Sequence, residues 1–225
     1  SIYYVVCFRM SWLCRAGLAR QHRRKKKMIT LFRAGSLLIF ATFVFYVFDV
    51  RHKEGMKPLV SGVWTKIMKM LSASMLVLYA YLLVTLQTIQ WTDLVALAIT
   101  TVGTALVVAA KLTLGRYHTW AGYHLPETTI VTHGIYSRLR HPLYTGTILF
   151  EIGAFFMIFP AMASYSTYLC ATVACIFAYM ICFNIYLASC ESDAMKQKFD
   201  KQFDEYKARV RAFIPFNKSA NVTGR

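Results

Sequence analysis

The stretch Gly134–Gly146, GIYSRLRHPLYTG, stands where a polar segment gives way to an apolar one. Two arginines, a histidine and a proline gather at the lip of a candidate membrane helix. Charged side chains at such a place are costly unless they are paired or used. Pro142 suits the first position of a helix, because the amide hydrogen it lacks would have no intrahelical partner there. Everything N-terminal to it, back to Leu112, is a polar segment of about thirty residues. Everything C-terminal to it is apolar as far as Ala188, apart from Glu151 and a few small polar residues.

Outward from this junction, apolar runs set the architecture. A span needs roughly 20 apolar residues to cross a hydrocarbon core of about 30 Å. Ile29 to Asp49 meets that length, with Arg33 near enough to one end to snorkel. Met70 to Gln87 is a second, uncharged span, and Leu94 to Ala110 a third, with Asp93 and Lys111 as its polar ends. The short link TIQWTD makes these two a tight antiparallel hairpin with Trp91 at the interface. Tyr144 to Phe159 and Ala161 to Ala188 form a second hairpin, with Pro160 expected at its turn. The fold class is therefore an all-α integral membrane protein with about five transmembrane helices.

The tail differs in kind. Met195, Phe199, Phe203, Tyr206, Val210 and Phe213 recur every three or four residues among charges, which predicts an amphipathic helix lying on the membrane surface. The division expected is 1–28 as a basic extension outside the fold, 29–112 as three spans, and 113–225 as the functional region with its hairpin at 144–188. The run RAGLARQHRRKKK and the basic loop Arg51 to Lys69 argue for opposite orientations of the first span under the positive-inside tendency.

The composition fits this plan. Of 225 residues 57% are hydrophobic, yet the net charge is +16. A nucleic-acid binder would cluster that charge on a soluble face with exposed aromatics, whereas here the aromatics lie within apolar runs. The six cysteines form no CxxC pair and no zinc spacing with histidines, so neither a disulfide framework nor a metal site is expected.

The region Gly115 to Phe216 resembles the isoprenylcysteine carboxyl methyltransferase family and its five-span relatives. The resemblance rests on LGRYHTW (114–120), TTIVTHGIYSRLRHPLYTG (128–146), Glu191 ahead of an amphipathic helix, and FDEYKARVRAFIPF (203–216), in that order. It implies S-adenosyl-L-methionine as cofactor, held on the cytosolic face of an endoplasmic reticulum or bacterial inner membrane by the loop and the tail helix. It also implies a lipid-like or apolar acceptor, most simply an isoprenylcysteine-type carboxylate, with membrane lipids around it and no nucleic acid. The family's cofactor contacts fall here on Thr128, Thr129, Ile130, Val131, Gly134, Tyr136, His141, Pro142, Leu143, Tyr144 and Glu191.

The chemistry of these residues agrees with that donor. A tyrosine face attracts a sulfonium, and a carboxylate takes an ammonium or ribose hydroxyls. Arg140 and Glu151 are the candidate catalytic residues. Glu151 lies two turns inside the fourth span, where a carboxylate is by default a functional-site candidate; its bland alternative is a bond to a neighbouring helix through Ser164 or Tyr168. Members of the family usually carry histidine at the position of Thr128 and leucine at that of Ile130. They also carry an arginine for the acceptor where this chain has Leu187, and a second acid where it has Ser192. Arginine is the natural partner of a carboxylate, so a lipid amine or a small thiol stays open as acceptor. A non-catalytic scaffold and a sterol-reductase-like protein are the alternatives from other classes.

Overall fold

The structure, a computed structural model, describes residues 2–47, 57–58, 60, 62–115, 123–124 and 129–214. Among them are five helices long and apolar enough to cross a membrane. They are α1 (Ile2–Val47), α2 (Gly62–Thr85), α3 (Trp91–Leu114), α4 (Pro142–Ala163) and α5 (Thr167–Arg209). Two dipeptides, β1 (Lys57–Pro58) and β2 (Tyr123–His124), pair antiparallel between them. The five-helix, all-α membrane architecture expected from the apolar runs is the one found.

The hairpin of α2 and α3 turns where expected. Gln90 and Asp93 form a reciprocal cap, with the Gln90 amide donating to Asp93 Oδ2 at 2.7 Å. Arg33 of α1 reaches the carbonyl of Leu86 in the same turn, so one nitrogen of its guanidinium meets a main-chain acceptor. α1 itself runs unbroken across Met28, so the boundary drawn there from composition is not an element boundary.

Two expectations are corrected. Pro160 lies inside α4, and the hairpin turns four residues later, at Ser164 to Ser166. A proline in the last turn deletes only one ladder bond. The turn is made instead by Ser166, whose hydroxyl accepts from the Tyr168 amide at 3.2 Å and starts α5. The tail helix, in turn, follows the spanning part of α5 across a kink and does not lay its apolar stripe on lipid. α5 carries on past the apolar run through Arg209, interrupted only at Asp200, whose φ is 39°. Its apolar stripe is buried in the protein: Phe203, Tyr206 and Val210 pack with Ile130, Met195 and Phe199. Ile130 belongs to the polar segment before α4, so the tail covers that segment and not the lipid.

What positions the functional end is the contact of α3 with α4. A Cβ on Gly103 would come within 2.6 Å of the Gly146 carbonyl, and one on Gly146 within 2.6 Å of the Gly103 carbonyl. Only glycine at both places lets the two backbones touch, the usual device of membrane helices. Phe150 then stacks on Phe43 of α1 at 3.6 Å between ring centroids and meets the edge of Tyr79 of α2. α4 is thereby the central rod of the bundle.

Candidate functional site

The polar segment enters α4 through a short 3-10 turn, Gly134–Ser137. Gly134 opens it with φ of 58°, a conformation that costs glycine little. The chain then runs alongside the end of the tail. The Arg140 amide donates to the Arg211 carbonyl at 2.8 Å, and the His141 amide to the Ala212 carbonyl at 3.1 Å. Arg140 Nε donates to the Val210 carbonyl at 3.0 Å. Tyr206 completes the strap by donating its hydroxyl to the Tyr136 carbonyl at 2.7 Å. Four bonds thus tie the arginine–histidine loop to residues roughly seventy positions away.

Side chains converge under that strap. His141 is buried and caps α4 with its backbone, while its Nε2 lies 2.7 Å from the Ser192 hydroxyl of α5. Burial, with the Arg140 charge adding, pushes the His141 pKa down to about 3, so the imidazole is neutral. Its ring lies against Tyr144 on one side and Phe213 on the other, at 5.9 and 5.8 Å between centroids. The Tyr144 hydroxyl bonds the Glu191 carboxylate. Tyr136 is buried close to both Glu191 and Tyr206, and burial above all raises its phenol's pKa. The result is a buried cluster of two tyrosines, one neutral imidazole and one carboxylate.

Each expected site residue except Thr128 has a place. Tyr136, His141, Pro142, Tyr144 and Glu191 come together, with Pro142 buried at the start of α4. Ile130 and Val131 are half-buried beside them, and Thr129 is exposed. Thr128 lies outside the described residues. Arg140 uses one edge of its guanidinium on the tail, and Leu143 lines a cavity beyond the cluster.

That cavity, of about 160 Å³, lies among all five helices. Tyr144, Thr147, Glu151 and Ala154 give it one face of α4; Phe177, Met180, Asn184 and Leu187 give it one face of α5. Lys111 and Lys69 also line it. Tyr144 belongs to both the polar cluster and the cavity wall. Glu151 finds its partner in Asn184, which donates Nδ2 to Oε1 at 2.9 Å. Neither Ser164 nor Tyr168 serves: the Ser164 hydroxyl donates to the Ala161 carbonyl, and Tyr168 is 87% exposed. Both lie beyond the far end of α4, about 20 Å along the axis from Glu151.

Sequence reasoning missed Asn184 and the strap role of Tyr206. Asn184 had a visible signal, an amide within the apolar run ICFNIYLA. Tyr206 had none, because it reads as one more member of the amphipathic stripe. Among the described residues, no group of three or more histidines, cysteines or acids is placed to hold a metal.

Residues 94–191, from α3 through the loop and α4 to Glu191, match a family model. The match is to the isoprenylcysteine carboxyl methyltransferase (ICMT) family. The resemblance read from the motifs is borne out over that segment. The ICMT match supports a membrane methyltransferase, in keeping with five apolar helices. It ends at Glu191, so the strap of residues 206–212 is a structural addition to what the ICMT segment alone covers. No curated protein matches the chain.

Proposed function

We propose that the chain transfers a methyl group from S-adenosyl-L-methionine to an amphiphilic acceptor held in the membrane, at a site facing the cytosol. The observation that carries this reading is Tyr144, which bonds Glu191 in the strapped polar cluster and also lines the apolar cavity. A donor on one side and an acceptor on the other would meet at that residue.

The residues fit the donor. Glu191 offers the carboxylate for its ammonium or ribose hydroxyls, and Tyr136 and Tyr144 offer aromatic faces to a sulfonium. A charged imidazole beside them would repel that cation, and the buried His141 stays neutral. When bound, the cofactor supplies an electrophilic methyl. The chain's part is to hold, orient and keep water out, which accounts for most of the catalysis in a displacement of this kind. The strap does the holding: it fixes Arg140 and His141 through main-chain acceptors and packs Phe213 against the His141 ring.

The family match makes an isoprenylcysteine-type carboxylate the first acceptor to test. Leu187, buried in the cavity wall, favours a second reading in which a lipid amine or thiol is methylated. Calorimetric titration of the detergent-purified chain with S-adenosylmethionine and S-adenosylhomocysteine tests the donor. Micromolar binding, weakened at least tenfold in His141→Ala, is expected. A folded chain that binds neither, or binds a nicotinamide dinucleotide instead, overturns the reading.

A further inference from the structure

Deep in the cavity, one carboxylate oxygen has no partner. Glu151 is 5% exposed and lines the space with its side chain. Asn184 Nδ2 donates to Glu151 Oε1 at 2.9 Å and to the Met180 carbonyl at 3.1 Å, so both its amide hydrogens are used. Among the described residues, Glu151 Oε2 is buried with no hydrogen-bond partner. A buried acceptor left unmade is expensive, and one that faces a cavity is made when a ligand brings a donor.

We infer that Glu151, held by Asn184, is an acceptor-recognition residue that takes an N–H of the methyl acceptor's head group. The inference rests on the membrane methyltransferase reading and adds to it the acceptor's polar pattern. Tyr144, at the shared wall, marks the reacting end. Glu151 stands two turns further along the same face of α4, and its side chain leans back towards the helix N-terminus and so towards Tyr144. Lys111, itself 8% exposed, brings a cation to the same cavity from α3. Beyond Glu151 the walls turn apolar at Ala154, Phe177 and Met180. The molecule that meets all three zones is an amphiphile with a carboxylate, an N–H close to it, and a hydrocarbon tail. An alkylated amino acid has this form; a plain fatty acid lacks the donor and a plain fatty amine lacks the anion.

Two probes isolate the donor. N-acetyl-S-farnesylcysteine and S-farnesylthiopropionate share the carboxylate, the thioether and the tail, and only the first carries an N–H. The wild-type chain should bind the first at least tenfold more tightly, the margin by which a site built for a donor rejects an analogue without one. Glu151→Gln, which turns a second amide donor towards the cavity, should erase that preference, as should Glu151→Met. Binding of S-adenosylhomocysteine should be unchanged in both variants, which also shows that they fold. Equal affinity for the two probes in the wild type, weak binding of both, or a preference that survives both variants overturns the inference. Loss of S-adenosylhomocysteine binding by the wild type with the probe preference intact would instead overturn the donor reading and leave Glu151 its role.

Discussion

At the scale of single residues, His141 carries the clearest pH signature. Its folded pKa, about 3, lies below the ordinary 6.5 because burial penalises the imidazolium. As pH falls the unfolded chain therefore takes up this proton first, and the stability that goes with a neutral, buried ring is full above 6.5 and drains away towards 3. Thermal midpoints measured through that window should fall more steeply for the wild type than for His141→Gln, which has nothing to titrate. Parallel curves would contradict the assignment. Tyr206 gives a second test. Tyr206→Phe removes only the hydroxyl donated to the buried Tyr136 carbonyl, and should cost about 1–3 kcal/mol in chemical denaturation. Of these two residues the first was legible in the sequence and the second was not. A histidine before a helix-starting proline announces itself by its place, whereas a phenol bonded to a distant carbonyl leaves no spacing to read.

Elements were legible in proportion to their apolar length. The spans now seen as α3 and α4 lie within a few residues of the apolar runs, because hydrocarbon thickness sets both, whereas α2 begins at Gly62, well before the run that opens at Met70. The α4–α5 turn was misplaced, since a proline near a helix end reads like a turn but need not make one. The length of α5 was also hidden: the change from apolar to charged residues after Ala188 marks where the membrane ends, not where the helix does. The contact of α3 with α4 was invisible, as no periodicity announces which glycines face each other. Gly146→Ala or Gly103→Ala forces a methyl group against a carbonyl at 2.6 Å and should lower the thermal midpoint sharply. The same substitution at Gly35, where nothing lies within 4 Å, should not. Asp200 offers the converse. Its positive φ strains any residue with a Cβ, so Asp200→Gly should stabilise by about 1 kcal/mol and Asp200→Val should destabilise.

At the scale of the whole molecule, the proposed site is assembled from both ends of a long connection. The loop before α4 and the residues after α5 meet only because the bundle brings them to one end. A chain stopped after Arg209 would lose the Val210, Arg211 and Ala212 carbonyls that hold Arg140 and His141. It should keep its helical circular dichroism yet bind S-adenosylhomocysteine at least tenfold more weakly. Retained affinity would show that the strap does not shape the pocket. The motif order pointed to this end of the molecule, but the parallel main-chain contact of Leu139 with Arg211 involves no side-chain pattern, and so could not be foreseen.

Tyr144, common to the polar cluster and the apolar cavity, has a practical consequence. If the donor lies against the cluster, as proposed, two sites divided by one side chain can be occupied by one molecule. A nucleoside joined by a short linker to a hydrocarbon tail would pay the entropy of association once, and its second half would bind at the high effective concentration set by the linker. The bridging point is the Tyr144 ring, and a linker too short or too long to pass it forfeits the gain. Inhibitory potency plotted against linker length should therefore show a single optimum, a molecular ruler laid across the wall between the two sites.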